Sequence, residues 1–204
     1  MEKNIKNLIF DLGGVIIDIR RANCVKALIE LGMADADEFL GDYIQKGPFL
    51  QLEDGSITAG QFRDEIRRHI SHPVTDSQID EALGKFLIGI PVERLRMLEE
   101  LHRRFNLYIL SNTNPIMWDQ GIKQFFEQDG HNREFYFDGE VASFKAGCVK
   151  PDPQIFRYAI DHLGIDPAES VFFDDSTNNT EAAAKLGFNT VHVSPDRNII
   201  DLVP

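Results

Sequence analysis

Leu8-Ile9-Phe10-Asp11-Leu12-Gly13-Gly14-Val15 is a short apolar run that ends on a carboxylate and two glycines. Far downstream, Val171-Phe172-Phe173-Asp174-Asp175-Ser176 repeats the arrangement: an apolar run, then acids and a small residue. Short continuous apolar runs bounded by turn residues read as strands buried on both faces of a parallel sheet. In open α/β sheets, ligands bind just outside the carboxyl ends of the strands. Two such ends side by side bring three carboxylates into one crevice. Carboxylates that close repel one another unless a cation sits between them. Hard oxygen donors of this kind suit Mg²⁺. The pattern points to metal-assisted chemistry on an anionic substrate.

Outward from these two stretches, the second half of the chain alternates apolar runs with helical periods, which reads as βαβ units. Strands are expected at Asn106 to Ser111, Phe135 to Asp138, Val171 to Asp174 and Thr190 to Val193. With Leu8 to Asp11 they make a Rossmann-like, parallel five-stranded sheet of the α/β class. Pro115 to Glu127, Pro153 to Leu163 and Asn178 to Leu186 read as the intervening helices, with Gly164 and Gly187 where helix-ending glycines belong. Residues 18–90 differ. Val25, Leu28 and Ile29 share one helical face, as do Phe62, Ile66 and Ile70, and Thr75-Asp76-Ser77-Gln78 has the form of a capping box. The expected organisation is an α/β core of residues 1–17 and 91–204, with an all-helical cap of residues 18–90 inserted after the first strand. Such an insert makes a lid that excludes water and selects substrates.

The bulk numbers bound the partners. With 204 residues, 43% of them hydrophobic, the chain can bury a full core. A net charge of −12 argues against nucleic acid and against anionic membrane surfaces. Met1 to Asn7 carries no apolar run of leader length, and no stretch approaches a membrane span. Cys24 and Cys148 match no metal or redox spacing, so buried thiols in a reducing cytoplasm are expected.

The candidate site residues follow from their chemistry. Asp11 is the candidate nucleophile, since a carboxylate attacking phosphorus splits one hard hydrolysis into two easier steps. Gly13 and Gly14 let the backbone turn sharply, and free amides in such a turn make an anion nest. Ser111 and Asn112, at a strand end, offer a hydroxyl and amides to phosphate oxygens. Lys150, in Lys150-Pro151-Asp152-Pro153, supplies point positive charge ahead of a helix start. Asp174 and Asp175 are adjacent acids whose burial calls for a cation. Taken singly, each is also an ordinary strand end, turn or surface lysine. The histidines show no ligand pairing, and Trp118 reads as packing. Arg20, Arg21, Arg67 and Arg68 read mainly as a solvated helix face.

Four motifs in order carry a resemblance: Phe10-Asp11-Leu12-Gly13-Gly14-Val15, Leu110-Ser111-Asn112, Lys150-Pro151-Asp152-Pro153, and Phe173-Asp174-Asp175 with Asn178-Asn179 behind. Over essentially its whole length the chain resembles the haloacid dehalogenase-like superfamily, in the branch with a helical cap after the first strand. Within it, the chain looks most like cytoplasmic sugar-phosphate phosphatases, particularly those acting on α-D-glucose 1-phosphate. The resemblance implies a Mg²⁺-dependent phosphomonoesterase working through an aspartyl-phosphate on Asp11. It implies Mg²⁺ ligands at Asp11, the carbonyl of Gly13 and Asp175, with Asp174 in support, and phosphoryl-holding roles for Ser111 and Lys150. The expected partner is a small phosphate ester, and the expected state a monomer or weak dimer.

One departure matters. Relatives of phosphatase type carry a second aspartate two residues after the nucleophile, as the acid for the leaving oxygen; here that position is Gly13. General acid–base help is worth about 10²–10⁴-fold. A substrate whose leaving group needs little protonation, such as a sugar 1-phosphate, accommodates the loss. Alternatively the chain is a metal-independent 2-haloacid dehalogenase, or a catalytically weak phosphate-binding member. Asp174-Asp175 argues against the dehalogenase, because paired acids without metal repel a carboxylate substrate.

Overall fold

A computed structural model describes residues 4–41 and 43–204. Met1 to Lys3, part of the stretch read for a leader, lie outside the described residues. The main sheet contains β1 (Asn7–Phe10), β4 (Asn106–Ser111), β5 (Gly139–Ala142), β6 (Ser170–Asp174) and β7 (Asn189–His192). Their order is β5-β4-β1-β6-β7, and every pairing is parallel. The sheet is the expected Rossmann-like α/β core. All of β1 is buried, and alternate residues serve opposite faces. Leu8 and Phe10 pack with Leu98, Ile109, Trp118 and Phe126, whereas Ile9 packs with Leu110, Phe156 and Phe172. Phe10 lies opposite Ile109 on one side and Phe173 on the other. It stacks on Phe173 with ring centroids 4.9 Å apart. This register brings the carboxyl ends of β4, β1 and β6 level.

Helices α6 (Val92–His102), α7 (Pro115–Met117), α8 (Lys123–Phe126), α9 (Arg133–Tyr136), α10 (Ser143–Ala146), α11 (Pro153–Leu163) and α12 (Thr177–Ala184) connect these strands. Gly164 ends α11 in the left-handed conformation, as its place after the last apolar residue suggests. Among the described residues, five helices lie between β1 and α6: α1 (Arg21–Glu30), α2 (Ala36–Phe39), α3 (Gly47–Glu53), α4 (Ala59–Arg68) and α5 (Asp76–Gly84). They share a core of their own, with Cys24, Leu28, Leu52, Phe62, Ile66, Ile79 and Leu83 buried together. Capping boxes open α4 at Thr58/Gln61 and α5 at Thr75/Gln78. Arg63 on α4 grips Asp80 on α5 through two hydrogen bonds of 2.8 and 2.7 Å. At the base, β2 (Asp18–Ile19) and β3 (Leu87–Gly89) pair antiparallel and tie the two ends of this helical unit together.

Four details depart from the sequence reading. Phe135 to Asp138 is not a strand; β5 begins one residue later. Asn132 accepts a hydrogen bond from the Phe135 amide and starts the short helix α9, from which Tyr136 turns into the core. Asp138 then exchanges two hydrogen bonds with the backbone of Leu107, and pairing with β4 starts at Gly139. The helix expected from Pro115 to Glu127 contains one turn of π-helix at Trp118–Ile122. Ile29, expected on the apolar face of α1, is 46% exposed. The β2–β3 pair is too short to show as a period.

Candidate active site

Asp11 follows β1 directly. Its amide donates to the Phe173 carbonyl at 2.9 Å, which continues the sheet pairing by one residue, and its carboxylate accepts from the Leu12 amide at 2.7 Å. Ser111, at the end of β4, is buried beside it in the same cavity. Lys150 arrives from the loop before α11. Its backbone is clamped by the Asn112 side chain, which accepts from the Lys150 amide at 2.8 Å and donates to its carbonyl at 2.9 Å. The Lys150 ammonium donates to the Leu110 carbonyl at 2.9 Å and pairs with Asp174 at 2.6 Å and Asp11 at 3.0 Å. Burial alone would favour losing its proton, but the two carboxylates outweigh that and hold its pKa above the ordinary value.

Asp174 is fully buried. Its oxygens accept from the Ser176 amide, the Asn179 side chain and Lys150. Asn179 thus holds Asp174 in place. Asp175, only partly buried, faces the turn after Asp11. Oxygens of Asp11, Asp174 and Asp175 lie within 4.8 Å of one another. Burial, only partly offset by Lys150, pushes the pKa of Asp11 up to about 6. Burial together with Asp11 and Asp174 pushes Asp175 up to about 7. Carboxylates kept this close and this short of water fit a small divalent cation with hard-oxygen preference. Asp11 and Asp175 line the cavity and face that role; Asp174 is already engaged on both oxygens.

Two groups expected near the substrate, the Gly14 amide and the Asn112 side chain, are bonded to protein groups. The Gly14 amide donates to the Ile17 carbonyl at 2.9 Å, so it is not a free anion donor. Gly14 instead has φ +72°, and a Cβ there would lie 2.3 Å from Asp175 Oδ2: the glycine makes room for the carboxylate. The Asn112 side-chain amide is committed to the Lys150 backbone, as above, while Asn112 itself lines the cavity beside Ser111. Gly13 has no such constraint, and a Cβ there would meet only Ile19, at 3.5 Å. None of Arg20, Arg21, Arg67 and Arg68 lines the cavity; Arg67 and Arg68 pair with acids on the helical unit.

The cavity over Asp11 is roofed by the helical unit. Leu40, Phe49, Leu52, Leu83 and Phe86 supply an apolar wall, with Glu53 among them. Sequence reasoning missed Glu53. The available signal was one acid closing the apolar stretch Pro48-Phe49-Leu50-Gln51-Leu52 just before Gly55.

Comparison with known proteins bears on this geometry. Residues 5–187 match the family model of haloacid dehalogenase-like hydrolases. D-ribitol-5-phosphate phosphatase of Bacteroides thetaiotaomicron is 36% identical over 186 residues, covering 91% of this chain and 90% of that one. A HAD family enzyme of the same organism, crystallised with magnesium and inorganic phosphate, superposes with a TM-score of 0.91 at 38% identity, covering 98% of this chain and 100% of the other. L-2-haloacid dehalogenase of Xanthobacter autotrophicus shares the fold, with a TM-score of 0.61 at 19% identity over 92% of this chain and 77% of that one. The chain belongs to the haloacid dehalogenase-like hydrolases, and it is an enzyme of the phosphatase kind within them.

Proposed function

We propose that this chain is a Mg²⁺-dependent phosphomonoesterase of small sugar or sugar-alcohol phosphates, with Asp11 as nucleophile. The observation that carries the reading is the grouping of Asp11, Asp174 and Asp175 around the buried Lys150 ammonium at the floor of a roofed cavity. The similarity to D-ribitol-5-phosphate phosphatase supports a polyol or sugar phosphate as substrate. Gly13 in place of an acid supports a second, narrower reading, a sugar 1-phosphate with its more acidic leaving group.

In this reading Asp11 attacks phosphorus, the alcohol leaves, and water then hydrolyses the aspartyl-phosphate. Lys150 holds the attacking carboxylate at 3.0 Å and balances its charge. Ser111 faces the transferred phosphoryl oxygens. Asp11, Asp175 and the Gly13 carbonyl would hold Mg²⁺, which when bound supplies charge neutralisation for the phosphoryl oxygens. Residues 18–90 act as the cap, whose apolar wall excludes water from the reacting centre. The charge at the site argues against a metal-free dehalogenase, since Asp11 and Asp175 together repel a haloacid carboxylate. Two unpaired, buried cysteines support a cytoplasmic setting. Among the described residues, no helix is long and apolar enough to cross a membrane.

The test is phosphate release from a panel including ribitol 5-phosphate, glucose 1-phosphate and glucose 6-phosphate, with and without Mg²⁺. Metal-dependent release is expected. Its absence from every ester, with the fold intact, would overturn the reading.

A further inference from the structure

The reaction just proposed needs a proton for the departing oxygen, and Gly13 cannot supply it. Among the described residues, five ionisable side chains line the cavity: Asp11, Tyr43, Glu53, Lys150 and Asp175. Asp11 is the nucleophile and Asp175 faces the cation site. The Lys150 ammonium has its three donors spent on Leu110, Asp11 and Asp174. Tyr43 is half exposed. Glu53 remains, on the helical roof opposite the strand ends, where the leaving group of an ester bound at Asp11 must lie.

Three observations single out Glu53. Its carboxyl makes no hydrogen bond or ion pair with any described residue, although its neighbour Asp54 accepts hydrogen bonds from the amide and hydroxyl of Ser56. The turn carrying it is fixed against the α/β core. Gly55 has φ +75° and runs so close to the Phe144 carbonyl that a Cβ would lie 2.3 Å from that oxygen. Its wall is apolar, with Phe49 and Leu52 on the same helix lining the cavity beside it. Glu53 is itself partly exposed; its partial burial, then the charges of Asp11 and Asp54, push its pKa up to about 8, with Lys150 only partly opposing. A carboxyl group in that environment carries a proton near neutral pH. A phosphate dianion entering the cavity acts in the same direction.

We infer that Glu53 is the leaving-group acid, so that the cap, not the first strand, supplies the proton. This rests on the phosphomonoesterase reading above. An Asp11 oxygen forms a bond to phosphorus as the bond from phosphorus to the ester oxygen breaks. That oxygen takes the Glu53 proton and departs as the alcohol, leaving Glu53 a carboxylate. Water then attacks the phosphorus and gives its proton to Glu53, while the bond between phosphorus and Asp11 breaks. Inorganic phosphate, free Asp11 and protonated Glu53 result.

The test compares Glu53→Gln with wild type, both loaded with Mg²⁺, in first-turnover measurements on two esters. One is p-nitrophenyl phosphate, whose phenolate leaves without a proton; the other is ribitol 5-phosphate, whose alkoxide needs one. The variant is expected to lose about 10²–10⁴-fold on the alkyl ester, and less than about 10-fold on the aryl ester, which also shows that it is folded. Equal loss on both esters, or none on the alkyl ester, overturns the inference while leaving the phosphatase intact. A wild-type series of alkyl and aryl esters gives a check that needs no variant. Proton delivery predicts a shallow dependence of first-turnover rate on leaving-group acidity, and a steep one overturns it. If wild type releases phosphate from neither of these esters nor from any ester of the panel above, the phosphomonoesterase reading itself falls, and this inference with it.

Discussion

Lys150 and Asp174 form an ion pair at 2.6 Å in which neither side chain reaches solvent. Desolvating two charges costs several kcal/mol each, so such a pair is stable only with good geometry and further hydrogen bonds. Both conditions hold, through Leu110, Asp11, Ser176 and Asn179. Removing one partner strands the other. Lys150→Met is expected to cost about 3–5 kcal/mol, and thermal unfolding of a domain this size shifts by about 2–4 °C per kcal/mol. Adding Asp174→Asn should recover part of that loss. Calorimetry checks both; a Lys150→Met protein as stable as wild type would show that the pair contributes no net structure.

The two glycines after Asp11 should behave differently on substitution. Gly14→Ala forces a Cβ onto a backbone with φ +72° and against Asp175 Oδ2. Left-handed backbone alone costs a residue with a side chain about 1–2 kcal/mol, and the contact displaces Asp175. We expect lower stability and lost phosphate release. Gly13→Ala meets only ordinary contact with Ile19 and keeps its backbone carbonyl, so its thermal unfolding should match wild type. Unfolding curves for the two variants decide this.

How much of this was legible in the sequence depends on whether the signal was local. Strand ends that run from apolar residues into acids are local, and so is the Thr75 capping box; both stand in the structure. Gly139-Glu140-Val141-Ala142 is only half apolar, so β5 carries a weak strand signal, while Tyr136 and Phe137 fill the core from a short helix and the residue that ends it. The Gly14 amide was misread because its acceptor, the Ile17 carbonyl, is created by the turn itself. Glu53 left only a local mark, one acid closing an apolar stretch, and nothing within its own helix says that the helix roofs the cavity over Asp11.

Asp11→Asn should abolish phosphate release while leaving the fold in place. The amide keeps the shape of the carboxylate but is no nucleophile towards phosphorus. It also removes one of the two charges facing Lys150, while Asp174 continues to pair with it at 2.6 Å. Thermal unfolding within a few degrees of wild type, with turnover lost on every ester in the panel, is the expected result. Residual turnover near the wild-type rate would place the nucleophile elsewhere.

The remaining prediction concerns pH and metal. The folded pKa values of Asp11, about 6, and Asp175, about 7, lie above the ordinary value of 3.8. Between pH 4 and 7 the metal-free folded state therefore binds more protons than the unfolded state, and its stability falls as pH rises through that window. Glu53, at about 8, extends the upper edge. A divalent cation replaces those protons and cancels the repulsion. Mg²⁺ is therefore expected to raise the unfolding temperature more at pH 7.5 than at pH 5, and to release protons when it binds at neutral pH. Asp175→Asn removes one of the repelling charges, so without metal at pH 7.5 it should be at least as stable as wild type, yet gain far less from Mg²⁺. Thermal unfolding at the two pH values, with and without Mg²⁺, measures the stability changes, and titration of Mg²⁺ into weakly buffered protein measures the protons released. An Asp175→Asn protein less stable than wild type in metal-free buffer at pH 7.5 would mean that Asp175 is held by favourable contacts and not strained by its neighbours.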